Sequence, residues 1–321
     1  MAAVLCGSQD DDDVGGVSFV DFGLFADLAG DTNDRERHPC DCDGQGYYDE
    51  FYPFHALCWA FRNIVPVSGQ TLVSEKNPLL RDVRRAAGRG ALTDGGFALA
   101  EGPHLLEEAV RSGVEIGAVI VVEGRAGSPP QAEGLPHILH VSEAVFKGLS
   151  TSDTPQGVLT LVRLPTWTLE QVVVNNSLLV VLDGVQDPGN AGAIVRASEA
   201  FGASGVIFLK GSVGPHNSKC MRGSAGSIFR VPLVAGVEAE EFLGLGLRLY
   251  AADPRGSRSI AEADLKSPCA LVVGSEGRGV SDALTAAATG VRIPTANVES
   301  LNAAVAAGIL LYEARRQRGF A

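Results

Sequence analysis

The sequence predicts an α/β protein: a C-terminal parallel sheet covered by helices on both faces, preceded by a smaller α/β module. Three observations carry this. From Ser177 onward, short and wholly apolar segments alternate with helical ones, the pattern of strands buried on both sides. A second alternating set runs from about Ser74 to Leu164, and residues 165–176 between the two sets show no period. Finally, 321 residues at 45% hydrophobic and 20% charged are ordinary globular material with room for about two domains. Glycine, at 39 residues, exceeds the usual ~7% and favours many tight turns.

The elements follow in order. Lys76-Asn77-Pro78 leads into LLRDVRRAAGRG, a short basic helix whose Arg81, Arg84 and Arg85 lie within about one turn of each other and are the module's candidate nucleic-acid-binding residues. Phe97–Ala100 reads as a strand, Glu101–Val110 as a helix, Val119–Glu123 as a strand, Ser142–Leu149 as a short helix and Gly157–Leu164 as a strand. The second part has strands at 178–184, 205–209, 247–252, 270–274 and 291–294. Its helices run over about Asn190–Phe201, Ser218–Gly223, Ala239–Leu243, Ser281–Ala288 and Leu301–Gln317. In such sheets ligands sit at the carboxyl ends of the strands, so the residues just after the strands are the candidate site.

Three of those strand ends are distinctive. The first strand is followed by Gly189-Asn190-Ala-Gly192 and then Arg196. A nicotinamide enzyme would place G-x-G-x-x-G there with an acid ~20 residues on, and here the second strand ends at Lys210 instead, which argues against an oxidoreductase of that kind. Asn190 taken alone can be only a helix cap and Arg196 only a surface arginine. A later strand ends in Gly274-Ser-Glu276-Gly277-Arg278-Gly279, whose glycines let a ligand approach the backbone closely. The third loop, Ile293-Pro294 to Glu299-Ser300-Leu301-Asn302, opens the last helix, and Ser300 or Asn302 can serve as its cap. The three loops in this order on one sheet are far more specific than any one of them.

These segments resemble a known family. N-x-G-x-I-x-R-x-x-E-A-F-G (190–202), S-A-G-x-x-F-R-V-P (224–232), G-S-E-G-x-G (274–279) and I-P…E-S-L-N-x-A-V-A (293–306) look like the motifs of the SpoU/TrmH branch of the SPOUT RNA methyltransferases. The likeness covers nearly all of residues 177–318. In residues 74–164, N-P-L-L-R-D-V-R, A-E-G-P-H-L-L-E-E-A and S-x-S-D-T-P-Q-G-V-L are similar to the ribosomal-protein-like substrate-binding domain of RNA 2′-O-ribose methyltransferases.

The resemblance implies a trefoil-knotted methyltransferase domain over 177–321, a homodimer, and S-adenosylmethionine held by backbone at Gly274, Ile293 and Leu301. It also implies methyl transfer to a ribose 2′-hydroxyl of structured RNA, ribosomal RNA more than transfer RNA. Arg196 matches the family's catalytic arginine, and Asn190, Glu276, Ser300 and Asn302 match polar positions around the reacting ribose. Two departures stand out: Thr295 replaces the methionine usual after Ile-Pro, and this loop is about one residue shorter. A non-catalytic RNA-binding protein with a dimerising knot domain is the alternative, and loss of Arg196, Asn190 or the glycine loop would have favoured it.

Net charge is −12, which in bulk argues against a nucleic-acid partner. Its distribution reverses that reading. Residues 1–70 hold 13 acids against Arg35, Arg37 and Arg62, leaving 25 acids and 23 bases in the other 251 residues. The first 70 residues also carry four of the six cysteines and no sustained period, and have no counterpart in the resemblance, so an acidic, disordered extension or a misplaced start is expected there. His38, Cys40, Cys42, His55 and Cys58 fit paired zinc spacings poorly, and no metal is expected. With no basic segment ahead of an apolar run and no ~18-residue apolar stretch, the expectation is a soluble cytoplasmic protein.

Overall fold

The computed structural model describes residues 70–71, 76–124 and 138–319. The acidic first segment, with its candidate ligands His38, Cys40, Cys42, His55 and Cys58, lies outside the described residues.

The smaller module is built around a five-stranded mixed sheet. Its elements are β1 (Gln70–Thr71), α1 (Pro78–Arg89), β2 (Ala98–Glu101), α2 (Pro103–Arg111), β3 (Ile116–Val122), β4 (Ile138–Val141), α3 (Glu143–Lys147) and β5 (Val158–Val162), in sheet order β1-β4-β3-β5-β2. The sheet thus takes in two residues ahead of Ser74. Helix α1 starts where Asn77 accepts the backbone N–H of Leu79 at 2.9 Å with Pro78 at the first helical position, and stops at Gly90 with φ +58°. Leu80, Val83 and Ala86, at helical spacing, bury against the sheet with Leu99, Ile120 and Phe146.

The larger module contains α4 (Leu169–Val172), β6 (Leu178–Asp183), α5 (Pro188–Ala200), β7 (Gly205–Leu209), α6 (Ser218–Ser224), β8 (Leu233–Val237), α7 (Ala239–Leu243), β9 (Arg248–Ala252), β10 (Arg258–Ser259), β11 (Cys269–Gly274), α8 (Asp282–Ala287), β12 (Thr289–Arg292) and α9 (Ala303–Arg318). Its seven strands lie in the order β10-β12-β9-β11-β6-β7-β8 and every pairing is parallel. Strands β6, β7 and β11 are buried on both faces, as their unbroken Val/Leu/Ile composition requires. One face packs on α5, α6 and α9 through Ile194, Met221, Leu310 and their neighbours; the other packs on α4, α7 and α8 through Leu169, Phe242 and Leu284. The aperiodic stretch 165–176 between the modules therefore contains a helix that closes the second core.

The two modules share a core. Ala98, Ala100, Leu105, Ala109 and Val162 of the smaller one belong to the same buried cluster as Cys220, Met221, Ile228 and Phe229. Among the described residues no helix is long and apolar enough to cross a membrane.

Candidate active site

The central strands β6 and β11 are neighbours, so the loops leaving their carboxyl ends emerge side by side. After β6 the chain turns into α5, and the cap is Asp187, whose Oδ1 accepts the backbone N–H of Asn190 at 2.7 Å. That leaves the Asn190 side chain free of capping duty. After β11, Ser275 and Gly279 exchange two backbone hydrogen bonds, of 3.1 and 2.9 Å, and Ser275 Oγ accepts the N–H of Arg278 at 3.2 Å. Gly279 sits at φ +71°, a conformation that favours glycine. The loop is moored to β6 because the N–H of Ser281 donates to Asp183 Oδ2 at 2.6 Å.

Asn302 caps α9, its Oδ1 accepting from Ala304 at 2.9 Å and Val305 at 3.2 Å. The same amide has a second job: its Nδ2 donates to Asn190 Oδ1 at 3.0 Å. Asn190 Nδ2 in turn donates to Glu276 Oε1. Residues from three separate loops thus form one chain, and each amide can point only one way because its oxygen and nitrogen have different duties. Asn190 is half-buried, and Glu276 and Asn302 are exposed, so the network opens to solvent at the carboxyl edge of the sheet.

The remaining predicted residues occupy different places. Arg196 is exposed on α5 and, among the described residues, has no ion-pair or side-chain hydrogen-bond partner. Ser300 is exposed two residues before the α9 cap. Thr295 Oγ1 donates to the Val298 carbonyl at 2.7 Å, so the residue that departs from the family pattern closes a local turn. On the smaller module Arg81 is exposed, Arg84 donates to the Gly148 carbonyl at 3.3 Å, and Arg85 pairs with Asp82 at 2.8 Å and with Asp94. None of these three arginines joins the network of the three loops. Asp82, then Asp94, hold the Arg85 guanidinium above its ordinary pKa.

Gly274 has a role that sequence reasoning misses. A Cβ there would lie 2.1 Å from the carbonyl carbon of Gly279 and 2.3 Å from the nitrogen of Val280. The glycine is therefore required first by the protein's own backbone crossing, ahead of any ligand. Gly192 is similar: its Cβ would lie 2.2 Å from the Cys220 carbonyl oxygen, so α5 and α6 touch backbone to backbone.

The residues fit a cofactor held by main chain. Ile293 and Leu301 are half-buried, Ile293 against the main core, and they flank a loop whose N–H groups make no backbone hydrogen bond among the described residues. Residues 294–300 between them are exposed, so these N–H groups are open to water or to a polar ligand. Gly277, where a Cβ would meet nothing within 4 Å, leaves open space beside them.

Comparison with known proteins agrees with this geometry. Residues 177–312 match the SpoU rRNA Methylase family and residues 77–160 the MRM3-like substrate binding domain. A protein of Synechocystis sp. named as an uncharacterized tRNA/rRNA methyltransferase is 33% identical over 263 residues, covering 77% of this chain and 94% of that protein. The 23S rRNA (guanosine(2553)-2′-O)-methyltransferase of Bacillus subtilis is 30% identical over 247 residues, covering 75% of this chain and 98% of that one. Among solved structures, the AdoMet-bound rRNA methyltransferase from Sinorhizobium meliloti superposes with a TM-score of 0.68 at 29% identity, covering 77% of this chain and 98% of that chain.

Proposed function

Because the chain belongs to the SpoU rRNA methylase family, we propose that it methylates a ribose 2′-hydroxyl of ribosomal RNA, with S-adenosylmethionine as the methyl donor. The observation that carries this is the chain Asn302–Asn190–Glu276, which draws the three matched loops to one point at the carboxyl edge of a parallel sheet.

The cofactor, when bound, supplies a methyl group on a positively charged sulfur. The protein's task is to bring the 2′-oxygen into line with it and to make that oxygen a better nucleophile. In this reading the backbone at Gly274, Ile293 and Leu301 holds the cofactor, and Asn190, Asn302, Ser300 and Glu276 orient the ribose. Glu276 has a carboxylate oxygen beyond the one bonded to Asn190 with which to accept a ribose hydroxyl. Arg196 acts as a fixed cation. A guanidinium stays protonated to pH above ~12, so it serves poorly as a base and well as a partner for the target phosphate and the developing alkoxide. The proton leaves to an RNA phosphate or to water, and positioning supplies much of the remaining acceleration. Exposed Arg81, with Arg84 and Arg85, gives the smaller module its phosphate contacts.

The assembly proposed is a homodimer. Val305, Ile309 and Tyr312 recur at helical spacing along α9 and are 51%, 37% and 50% exposed, an apolar stripe on the helix that also carries the Asn302 cap. A second copy of the chain is the proposed occupant, and the trefoil knot of the family is the proposed path of the segment leading into α9. The proposed place of action is the cytoplasm. Light scattering should give twice the chain mass, and Ile309→Asp should give the single-chain mass; a monomeric wild type would dismiss the dimer. The function is tested by mapping 2′-O-methyl sites in total RNA with and without the gene. Loss of one ribosomal ribose mark is expected, and an unchanged map would refute the proposal.

A further inference from the structure

Helix α6 lies between the smaller module and the helix that carries Asn190. On the module side stands Glu101, whose side chain is only 3% exposed. Its Oε2 accepts from Arg222 Nη1 at 2.9 Å, from the Thr151 N–H at 3.1 Å and from Thr151 Oγ1 at 3.1 Å, while Oε1 accepts from Ser150 Oγ. Thr151 Oγ1 also meets Ser218 Oγ at 2.7 Å and accepts from Arg222 Nη1 at 2.8 Å. One hydroxyl has one proton and two lone pairs. Donating to Glu101 and accepting from Ser218 and Arg222 uses all of them, so the cluster is complete and has one arrangement. Ser218 and Arg222 are residues of α6, and Glu101, Ser150 and Thr151 belong to the smaller module.

On its other side α6 meets α5 without slack. Gly192 and Gly223 bring the two backbones together, with the Gly192 Cβ position 2.2 Å from the Cys220 carbonyl and the Gly223 position 3.1 Å from the Gly189 carbonyl. Lys219, one residue along α6 from Ser218, places its Nζ 3.8 Å from Asp187 Oδ2. Asp187 is the cap whose other oxygen holds the Asn190 N–H. A shift of α6 therefore has to move the first turn of α5.

We propose that Thr151 and Glu101 are positioning residues for methyl transfer: through α6 the substrate-binding module sets the alignment of the first turn of α5, and with it Asn190. The role assigned to Asn190 rests on the function proposed above; the mechanical link does not. No group at the reacting atoms is touched by either residue, so their effect must appear in turnover and in the order of α5 rather than in cofactor affinity.

The test uses the full chain with Thr151→Val, which keeps the shape and removes the hydroxyl, Thr151→Ser, which restores it, and Glu101→Gln. Hydrogen exchange reads the link directly: the amides of residues 190–194 should exchange faster in Thr151→Val and return to wild-type protection in Thr151→Ser. Methyl transfer to a ribosomal RNA transcript should show kcat reduced about 10-fold or more in Thr151→Val and Glu101→Gln, with KM for RNA and cofactor affinity within about twofold, and recovery in Thr151→Ser. Unchanged exchange at 190–194 in Thr151→Val would overturn the proposal, as would a loss confined to KM or one that Thr151→Ser fails to restore. A wild type that methylates no ribosomal RNA would refute the proposed function alone, because the exchange data would still judge the link. Should Glu101→Gln fail to fold, the two Thr151 variants decide it.

Discussion

Replacing Gly274 by alanine separates two reasons for a glycine at a cofactor loop. The added Cβ falls 2.1 Å from the Gly279 carbonyl carbon, 2.2 Å from its oxygen and 2.3 Å from the Val280 nitrogen. Comfortable carbon contacts are near ~3.5 Å, so this backbone must retreat by roughly 1 Å, and no side-chain rotation relieves the overlap. Overpacking of this kind costs about 1–3 kcal/mol. At ~2–4 °C per kcal/mol for a domain of 150–250 residues, the Tm of the cofactor-free protein should fall by several degrees. Glu276 rides on the displaced loop and would lose its alignment with Asn190, and a misplacement of ~1 Å can cost about 10²-fold in rate. Scanning calorimetry without cofactor, titration calorimetry with S-adenosylmethionine and a turnover assay read the three effects. If the glycine served the ligand alone, Tm would be unchanged and only affinity would drop. That result would show that the loop crossing tolerates a side chain at this position.

Four further outcomes follow from the geometry. Asn302→Asp keeps a good α9 cap but removes the donor to Asn190, so Tm should stay within about 1 °C of wild type while methyl transfer falls at least ~10-fold; equal losses in both would mean that capping is the whole role. Arg318 donates to the carbonyls of Leu265 at 2.7 Å, Asn176 at 2.9 Å, Ser267 at 3.0 Å and Ser177 at 3.1 Å, pinning the end of α9 to the loops at the opposite end of the sheet from the site. Arg318→Met should therefore destabilise by about 3 kcal/mol in urea melts without altering cofactor affinity. The hydrogen bond from Arg230 holds the Glu199 carboxyl below its usual 4.5. A depressed carboxyl contributes stability that is present above 4.5 and is lost as pH falls through the lower folded value, so the Tm of Glu199→Gln should decline less steeply below pH 4.5 than that of wild type. Lastly, Arg196→Lys should keep measurable methyl transfer whereas Arg196→Ala loses about 10²–10³-fold, the scale of one lost electrostatic donor.

The buried strands are legible because their apolar runs have only one use. Residues 205–209 and 239–243 form the expected strand and helix without a shift at either end. Strand β8 escapes because Pro232 and Gly236 punctuate its short apolar run, and the pairing with β7 skips Gly236 as a bulge at the sheet edge. Helix α4 hides within the aperiodic 165–176 stretch, since four residues are too few to show a period, though Leu169 and Val172 both bury. At the site, Asn190, Glu276 and Asn302 can be found because each follows a strand end. Their mutual bonds, across 86 and 112 residues, follow from the strand order rather than from local spacing. Asp187 and Lys219, which support Asn190 from behind, carry no signal beyond ordinary cap and surface chemistry. The Glu101–Arg222 pair spans 121 residues between modules, so nothing local in the sequence marks it.

Whether this site moves a methyl group onto a ribose oxygen can be read from the fate of the label in a single turnover. Wild type, Arg196→Lys and Arg196→Ala are each mixed in excess over a cognate ribosomal RNA fragment with methyl-labelled S-adenosylmethionine, sampled across pH, and the RNA is hydrolysed in alkali. A 2′-O-methyl group blocks cleavage at its own position, so label is expected in an alkali-resistant dinucleotide. Its rate should fall modestly in the lysine variant and by about 10²–10³-fold in the alanine variant. A wild-type rate climbing with pH through an arginine pKa, and displaced in the lysine variant, would return the arginine to the role of base. Label in alkali-labile mononucleotides, or an alanine variant turning over at the wild-type rate, would contradict the account.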